Sequence, residues 1–422
     1  MKISFFLLLL LGLGATQSQA QTTCDELVAY PERSAGIYHS YEYQAAPTPA
    51  LPHGYVPFYI SHYGRHGSRY HSSEEAYNQP LDILRRAAAT EALTPRGRTL
   101  LGQIEVIAAD AAERYGDLSP RGVEEHRAIA GRMFAAYPAV FSTRNGRECR
   151  IESRSTLVPR CILSMAAFNE RLKELNPAIR TLRESSRRNL PFIANTPGLD
   201  ARDKSYRDVA DSLRKVRLHP ERLMSTLFAD PQFVSDSIAN QRELMVRIYL
   251  LAGIMQDVSY LRISLYDLFT ADELCALWEC ENVRQYLSMG PSLRFGDSIV
   301  TDAKPLLRNI IETADRVIDG RDTLSASLRF GHDVNIVPLL ALLGVEGASA
   351  RVMSVDAVKS VWCADRVTPM AANLQLIFFR NAAGDVLVRV LHNERDAKLS
   401  LTGGPYYPWK AFRAFAESKY SK

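Results

Sequence analysis

Residues 56–70 have the sequence VPFYISHYGRHGSRY, and the interpretation of the whole chain starts from this stretch. Val56, Phe58 and Ile60 alternate with other residues, as is typical of a short strand with one buried face. The glycine-containing segment 62–67 follows directly, and glycines after a strand indicate a tight turn where the backbone can approach a ligand. The stretch therefore predicts a strand that runs into a ligand-binding turn.

The turn carries a histidine between two arginines, in the order Arg65, His66, Arg69. Each guanidinium presents a rigid fork of N–H donors that fits the oxygens of a phosphate group. A histidine between cations is disfavoured as an imidazolium, so His66 can stay neutral and nucleophilic. A basic surface turn without chemistry is the alternative.

A second strand-to-turn junction lies late in the chain, where alternating apolar residues over 324–330 end at His332 and Asp333. His332 can donate to a phosphoryl oxygen, and Asp333 can protonate a leaving group and later activate water. A third segment places Arg160 at a predicted helix start after a predicted strand, where donors can meet an anion. Each of these two segments is weak alone, but with the turn they supply a nucleophile, an anion clamp and an acid.

The order of predicted elements favours an α/β fold. Strands are predicted at both ends of the mature chain, including a hairpin over 374–392, and the middle is mostly helical with no clear strand. We expect a doubly wound sheet core with an inserted, mainly helical cap domain. The predicted core is discontinuous, 21–165 and 296–422, and the predicted cap is 166–295. His126 falls on the apolar face of a helix that starts at Ser119, so we expect it in the core.

The predicted cap contains two groups of basic residues, which leave two interpretations open. The ordinary interpretation is that they cover solvated helix faces. The other is that they form a basic rim above an anionic substrate. The residues concerned are Arg183, Arg187, Arg188, Arg214, Lys215 and Arg217.

The first 20 residues read as a secretory signal peptide, with Lys2, a short apolar region and a small-residue cleavage site before Gln21. An uncleaved membrane anchor is the alternative. No later stretch approaches the roughly 20 apolar residues of a membrane helix, so we expect no membrane insertion. The mature protein is therefore expected to be periplasmic or secreted, and its oligomeric state is not predicted.

Composition limits the partners. The chain has 51 Lys and Arg against 47 Asp and Glu, a formal charge of +4 that argues against nucleic acid as a partner. The histidines and cysteines lack metal-ligand spacing, so no metal is expected. Six cysteines allow about 15 connectivities, and an oxidising compartment permits disulfides. Cys275 and Cys280 are close enough to pair, and buried free thiols are an equal alternative.

These motifs together resemble the histidine acid phosphatase branch of the histidine phosphatase superfamily. The run 65–69 matches the family signature, Leu118-Ser119-x-x-Gly122 is similar to its second motif, and His332-Asp333 matches its catalytic pair. Arg160 occupies the position of the third phosphate-binding arginine. The motifs follow the family order and cover nearly the whole mature chain.

Other segments resemble particular subgroups. The lead-in 59–64, Tyr70 and the segment 390–394 are similar to the multiple inositol polyphosphate phosphatases. That subgroup commonly carries His-Ala-Glu as its acid motif, whereas His332-Asp333-x-Asn335 resembles acid phosphatases and enterobacterial-type phytases. The resemblance implies an exported phosphatase, with an inositol polyphosphate such as phytate or a range of small phosphomonoesters as substrate.

The resemblance also implies roles. His66 would attack phosphorus and form a phosphohistidine. The phosphoryl oxygens would be bound by Arg65, Arg69, Arg160 and His332, and Asp333 would act as acid and then base. Tyr70 and Asn335 are possible substrate contacts. No cofactor is implied, because the arginines take the part of a metal ion.

Three alternatives come from other classes. A phosphoglycerate mutase relative would share the Arg-His-Gly start, but the predicted export argues against a cytosolic enzyme. An inactive phosphate-binding protein is disfavoured by the presence of both His66 and Asp333. A carbohydrate- or surface-binding module lacks an evident aromatic platform.

Overall fold

The computed structural model describes residues 22–194 and 202–421. The predicted first strand is confirmed and extends to Arg65. The predicted signal peptide lies outside these residues. The strands are β1 (Val56–Arg65), β2 (Arg150–Ser155), β3 (Arg180–Ser185), β4 (Ala326–Gly331), β5 (Asn373–Arg380), β6 (Val386–His392), β7 (Arg395–Asp396) and β8 (Tyr406–Pro408).

The strands form one mixed sheet in the order β3-β2-β4-β1-β5-β6-β7, with β8 beside β6. Strands β3, β2, β4 and β1 are parallel, and β5 runs antiparallel to β1 and to β6, so the predicted hairpin is confirmed. In this register Arg65 lies opposite Gly331, and Ser155 lies opposite Phe330. The carboxyl ends of β1, β2 and β4 therefore meet at one edge of the sheet, where ligands of such sheets bind.

Helices fill the connections between the strands. Ser119 caps one of them as predicted, because its hydroxyl accepts from the N–H of Gly122. The α-helices are α1 (Cys24–Ala29), α2 (Glu75–Ala89), α3 (Pro95–Ala111), α4 (Pro120–Ala136), α5 (Pro159–Leu175), α6 (Leu190–Ile193), α7 (Tyr206–Arg217), α8 (Glu221–Leu227), α9 (Pro231–Ser237), α10 (Gln241–Ile254), α11 (Ala271–Met289), α12 (Gly296–Thr301), α13 (Lys304–Ile318), α14 (Asp333–Leu342), α15 (Ala364–Val367) and α16 (Trp409–Tyr420). Short 3-10 helices span Pro31–Tyr38, Arg144–Gly146, Arg187–Asn189, Met255–Leu261, Tyr266–Leu268 and Val355–Ser360.

Both faces of the sheet are buried. Ile60 of β1 points into a cluster with α4 and α5, whereas Tyr59 and Tyr63 point into a cluster with α13, α14 and α16. This alternation along one strand is what a sheet covered on both faces requires. His126 is buried on the α4 side as expected, although neither ring nitrogen has a hydrogen-bond partner within the described chain.

A second hydrophobic core is purely helical. It joins α2 and α3, which precede β2, to α8, α10 and α11, which lie in the predicted cap. One expectation is wrong, because the range 166–295 contains a strand: β3 forms an edge of the sheet. Three of its six residues are exposed, none is buried and three are charged, so the alternation that identifies a strand is absent. The domain boundaries themselves stay a prediction.

The expectation that no later stretch reaches membrane-spanning length is also wrong. Residues Gln241–Leu261 form a helical run long and apolar enough to cross a membrane by length and composition alone. However, 67% of its most apolar window is buried inside the fold. It is the central helix of the second core, so its apolar character has a packing explanation.

Of the two alternatives for Cys275 and Cys280, a local bond is not formed, and a buried free thiol holds for Cys280 but not for Cys275. Cys24 of α1 is bonded to Cys275 of α11, with 5.4 Å between their Cα atoms. Cys280 lies one helical turn further on and faces the apolar core as a free thiol. Because α11 turns the two cysteines to different faces, Cys275 meets the N-terminal segment instead of Cys280.

Candidate active site

The candidate site forms where β1, β2 and β4 end. The N–H of His66 donates to the carbonyl of Gly331 over 2.9 Å, and the N–H of Thr156 donates to the carbonyl of Phe330 over 3.1 Å. On the other side, the carbonyl of His66 accepts the N–H of Ala371 over 2.9 Å. Backbone hydrogen bonds therefore bring together the three segments that the sequence singled out.

His66 is held as a neutral imidazole with a defined free nitrogen. Its side chain is 2% exposed, and its Nδ1 lies 2.9 Å from the carbonyl oxygen of Gly67. Because a carbonyl can only accept, Nδ1 carries the proton and Nε2 keeps its lone pair. Burial, and then the charges of Arg65, Arg69 and Arg160, hold the pKa of His66 well below its usual range. This is the protonation state that a nucleophile needs.

Arg65 is the most rigid of the three arginines. Its guanidinium is buried and donates to the carbonyl oxygens of Ile37 (2.6 Å) and Thr368 (2.7 Å), and to the carboxylate of Asp333 (2.8 Å). Its Nε–H has no partner within the described residues. The side chain is therefore fixed from three directions, with a donor left over.

Arg69 and Arg160 also keep unused donors. Arg69 donates to the carbonyl of Tyr70 over 2.7 Å and lies over the ring of Tyr38, 5.3 Å from its centre. Arg160, at the start of α5, has one long contact of 3.4 Å to the carbonyl of Gly116. The Nε atoms of both are buried and unpaired in the part of the chain that the structure describes. Buried guanidinium donors without acceptors indicate a place for an anion.

Asp333 and His332 stand at the first turn of α14. The carboxylate of Asp333 accepts from Arg65 and from the N–H of Val334, the latter over 2.8 Å. Burial acts to raise the pKa of Asp333, but Arg65, His332 and Arg69 outweigh it and lower that pKa. The Nε2 of His332 lies 3.1 Å from the hydroxyl of Thr156, and burial lowers the pKa of His332 to about 4. Asp333 is thus ionised and His332 neutral when no anion is bound.

Two glycines let the site loops touch through their backbones. A Cβ on Gly67 would lie 2.5 Å from the carbonyl oxygen of Gly122, and a Cβ on Gly122 would collide with the backbone of Ser68. The hydroxyl of Ser164 in α5 accepts the N–H of Gly67 over 3.2 Å. Glycine at 67 and 122 is therefore required by close approach.

The two possible substrate contacts are already engaged. Tyr70 is 1% exposed, and its hydroxyl lies 3.0 Å from a carboxylate oxygen of Asp110 and 2.5 Å from the hydroxyl of Tyr260. The amide nitrogen of Asn335 donates to the carbonyl of Ala194 over 2.7 Å. Both side chains hold neighbouring segments in place. The hydroxyl of Tyr70 has protein partners, whereas the Oδ1 of Asn335 has no hydrogen-bond partner in the described chain.

Sequence analysis missed the contribution of the N-terminal segment. Ile37 supplies a carbonyl to Arg65, and Tyr38 lies against Arg69 with its ring 4.9 Å from that of His71. A backbone carbonyl leaves no signal in the sequence, since any residue can provide it. Only the aromatic ring of Tyr38 could have drawn attention, and one tyrosine among 19 does not stand out.

The basic residues of the predicted cap divide into two sets. Arg214 and Arg217 form ion pairs with Glu281 and Glu279, and Arg188 pairs with Glu184. Three are exposed and have no ion-pair partner within residues 22–194 and 202–421: Arg183, Arg187 and Lys215. Arg187 lies two residues beyond the end of β3, whose carboxyl end lies at the same sheet edge as His66. The candidates for a basic rim above an anionic substrate are therefore reduced to Arg183, Arg187 and Lys215.

Metal-ligating geometry occurs at one place in the described chain, away from the sheet edge. Cys24, Cys275 and Glu279 lie close enough to share an ion, but the two sulfur atoms are bonded to each other. The expectation of a metal-free site stays a prediction.

Solved structures share this fold. The crystal structure of Bifidobacterium longum multiple inositol polyphosphate phosphatase with inositol hexasulfate superposes with a TM-score of 0.76 at 19% identity, covering 90% of this chain and 96% of that one. The phytase from D. castellii gives a TM-score of 0.68 at 14% identity, covering 92% and 85%. Hafnia alvei phytase gives 0.51 at 14% identity, covering 88% and 98%.

Comparison by sequence gives a narrower result. No curated protein matches the chain. A family model, in contrast, matches residues 64–393, a range that begins just before His66 and ends beyond Asp333. This match covers well over half of the chain and contains the predicted site residues from Arg65 to Asn335, whereas Ile37 and Tyr38 lie before it. The chain therefore belongs to branch 2 of the histidine phosphatase superfamily and is a phosphatase of that family.

Proposed function

We propose that the protein is an exported phosphomonoester hydrolase that acts through a phosphohistidine on His66, with inositol polyphosphates such as phytate as its substrates. One observation carries the catalytic part of the proposal. A neutral buried imidazole with a free Nε2 lies among three arginines whose buried Nε–H groups have no partner in the described chain. A phosphoryl group is the ligand that needs both features at once.

In the first step, Nε2 of His66 attacks phosphorus, and the bond between phosphorus and the ester oxygen breaks. Arg65, Arg69 and Arg160 bind the phosphoryl oxygens and stabilise the charge that develops on them. The leaving oxygen takes its proton from Asp333. In the second step, water attacks the phosphohistidine, Asp333 takes a proton from that water, and His66 is released with inorganic phosphate.

Asp333 must gain a proton before the first step, although the free site lowers its pKa. The cause of that lowering is the set of cations around it, led by Arg65. A bound phosphate neutralises those cations, so binding raises the pKa of Asp333 toward the acid range. The proposal therefore includes activity at acid pH.

The substrate part of the proposal is supported by the comparisons and by one exposed arginine. Relatives of the same fold include proteins named as phytases and as a multiple inositol polyphosphate phosphatase. Arg187, exposed at the end of β3, is suited to a further phosphate on the same substrate. A broad-specificity acid phosphatase is the alternative, favoured by the ion pairs that occupy Arg214 and Arg217.

Export is supported by residues 1–20 and by the disulfide. A bond between Cys24 and Cys275 persists in an oxidising compartment and is rare in the cytosol. Sequencing the N-terminus of protein recovered outside the cytoplasm tests this part, and Gln21 is the expected first residue. An unprocessed N-terminus in the cytoplasm would contradict it.

The decisive experiment measures phosphate release by residues 21–422 in the presence of EDTA. Inositol hexakisphosphate is compared with p-nitrophenyl phosphate and a sugar phosphate. His66→Ala is expected to abolish release, whereas His53→Ala, at an exposed histidine, is the matched control. A higher kcat/KM for the inositol substrate supports a phytase, and a higher value for the small esters supports the alternative.

Two outcomes would overturn the enzymatic proposal. One is phosphate release that His66→Ala leaves unchanged. The other is tight binding of inorganic phosphate with no turnover of any ester, which would indicate a phosphate-binding protein. Quenching in alkaline detergent during turnover should also trap a phosphate on His66 that is stable to base and lost in acid, and its absence would argue against the covalent step.

A further inference from the structure

Two buried carboxyl groups contact the turn of residues 65–70, which we call the catalytic turn, and take no part in the catalytic steps described above. Glu125 of α4 is 4% exposed, and Asp257 of the 3-10 helix Met255–Leu261 is 1% exposed. Neither forms an ion pair with a lysine or arginine in the described chain. Buried carboxyl groups are costly unless their oxygens are well supplied with donors, so their partners reveal what they do.

Glu125 binds the turn through three donors. Its carboxylate accepts the N–H of Ser68 (2.8 Å), the hydroxyl of Ser68 (2.8 Å) and the N–H of Tyr41 (2.7 Å). Ser68 lies between His66 and Arg69 in the phosphate-binding turn. Glu125 therefore connects that turn to the N-terminal segment. Burial raises the pKa of Glu125, and the hydrogen bonds from Ser68 and Tyr41 act in the opposite direction. Its oxygens accept from three donors, which is the pattern of an ionised carboxylate.

Asp257 binds the next residue of the turn. One of its oxygens lies 3.4 Å from the N–H of Arg69, and the other lies 2.9 Å from the hydroxyl of Ser40. The hydroxyl of Ser40 is in turn 3.0 Å from that of Ser68. Asp257, Ser40, Ser68 and Glu125 thus form one continuous chain of hydrogen bonds.

Counting hydrogens assigns a direction to this chain. Ser68 gives its single hydroxyl hydrogen to Glu125, which leaves the one hydroxyl hydrogen of Ser40 for two contacts, to Ser68 at 3.0 Å and to Asp257 at 2.9 Å. A hydrogen bond at both contacts requires Ser40 to donate to Ser68 and to accept from Asp257. Ser40 then has no hydrogen left for Asp257, and that contact needs a proton on the carboxyl of Asp257. Burial, and then the charge of Glu125, raise the pKa of Asp257 well above its usual range, which agrees with this count.

We propose that Glu125, as the anion, and Asp257, as the neutral acid, are positioning residues that fix the Ser68–Arg69 backbone and so direct the guanidinium of Arg69 at the substrate phosphate. The proposal rests on the proposed function for the identity of the ligand. The hydrogen bonds of these two carboxyl groups connect α4, the N-terminal segment and the 3-10 helix Met255–Leu261, and together these elements support the catalytic turn. A displacement of about 1 Å in such a support can cost about 100-fold in rate.

Glu125→Gln is the sharpest variant because it keeps the shape of the side chain. Whichever end of the amide carries the nitrogen, that end faces an N–H of the turn or of Tyr41, and a hydrogen bond is lost. We expect kcat to fall by about 10- to 100-fold, and the Kd for inorganic phosphate to rise. Glu124→Gln is the matched control, since Glu124 is the exposed neighbour on the same helix.

Two variants of Asp257 test its role by rescue: an amide at this position should keep kcat, whereas a side chain without polar atoms should not. In Asp257→Asn the amide oxygen accepts from Arg69 and the amide nitrogen donates to Ser40, as the neutral acid does. We therefore expect kcat within about twofold of the wild type for Asp257→Asn and a loss of about tenfold or more for Asp257→Ala. Equal losses in the two variants, or full kcat in Glu125→Gln, would overturn the proposal.

The experiment measures kcat and KM on p-nitrophenyl phosphate, and the Kd for inorganic phosphate by calorimetry, on each full mature variant. If the wild type binds phosphate but turns over no ester, the proposed function fails while the Kd series still tests the positioning. If Glu125→Gln does not fold, Ser68→Ala replaces it, because it removes the central hydroxyl of the chain at little change in volume. A Kd unchanged in Ser68→Ala would also contradict the proposal.

Discussion

At the scale of the residue, the site is defined by polar groups that have no hydrogen-bond partner in the protein. Arg65, Arg69 and Arg160 each keep a buried N–H without an acceptor in the described chain, and His66 keeps a lone pair on Nε2. A folded protein rarely leaves such groups unpaired unless a ligand supplies the missing acceptor. The cations that bind the phosphate also keep the nucleophile neutral, so binding and activation have the same origin.

The first prediction concerns pH and His66. An ordinary imidazole, with a pKa near 6.5, loses its nucleophilic lone pair as the pH falls through that value, but the pKa of His66 is lowered well below it. The reactive neutral form therefore persists into the acid range. We expect kcat/KM for p-nitrophenyl phosphate to show no loss between about pH 7 and about pH 5. A pH profile that declines with an inflection near 6.5 would contradict this assignment.

The second prediction concerns Asp333. Asp333→Asn removes the transferable proton but keeps an oxygen near Arg65. We expect a loss of about 100-fold or more on an alkyl phosphate such as a sugar phosphate, and a smaller loss on p-nitrophenyl phosphate, whose leaving group needs little protonation. Steady-state kinetics on both esters make the comparison, with the exposed Asp236→Asn as control. Equal slowing of both substrates would remove Asp333 from the role of acid.

At the scale of the element, the parallel strands place the chemistry. Strands β1, β2 and β4 deliver His66, Thr156 and His332 to one edge because parallel strands end on the same side. The helices α4, α5 and α14 then begin at that edge and return across the faces of the sheet. The start of α4 packs so closely on the catalytic turn that a side chain at Gly122 would collide with the backbone of Ser68.

The third prediction tests that close approach. Gly122→Ala places a Cβ against the backbone of Ser68, so the turn has to shift. We expect a loss of about 1–3 kcal/mol in the free energy of unfolding, as for an overpacked core, together with a fall in kcat. Gly102→Ala is the control, since Gly102 lies in α3 with open space around it and should gain about 0.5–1 kcal/mol. Chemical denaturation and kinetics on the two variants decide, and an unchanged Gly122→Ala would contradict the packing.

At the scale of the whole molecule, the N-terminal segment links the two cores. It starts at the disulfide to α11, passes Ile37, Tyr38 and Ser40 at the site, and reaches β1. The helical core holds α11 and the turn at Asp257, while the sheet holds the catalytic residues. The site is therefore complete only when both cores and this segment are assembled.

The fourth prediction concerns the disulfide. Its bond spans 251 positions of sequence, so removing it frees a long loop in the unfolded chain. Replacing Cys24 and Cys275 by serine should lower the free energy of unfolding by about 2–4 kcal/mol. A reductant should lower the Tm of the wild type and leave that of the double variant unchanged. Peptide mapping that finds Cys275 bonded to Cys280 would contradict the pairing.

Much of the fold was open to prediction from the sequence. Alternation identified β1, β4 and the hairpin, and Ser119 before Pro120 marked the start of α4. The edge strand β3 was not predicted, because strand patterns in sequence reflect burial and none of its six residues is buried. The apolar run Gln241–Leu261 was also not predicted, although its composition alone is that of a membrane-length apolar helix, and its burial in the fold became evident only in the structure.

The types of side chain that can attack, bind an anion and donate a proton were evident from the sequence, as was their position after strand ends in the order of a known family. Which of these polar groups already have a protein partner became evident only from the three-dimensional arrangement. Tyr70 and most of the cap arginines are bound to protein partners, whereas Arg69 and Arg160 each keep an N–H group without a partner in the described chain. The physical reason is that residue type and local pattern are short-range properties, whereas hydrogen-bond partners such as Ile37, Glu125 and Asp257 come from distant segments. Their pairing with the turn exists only once the sheet edge has formed.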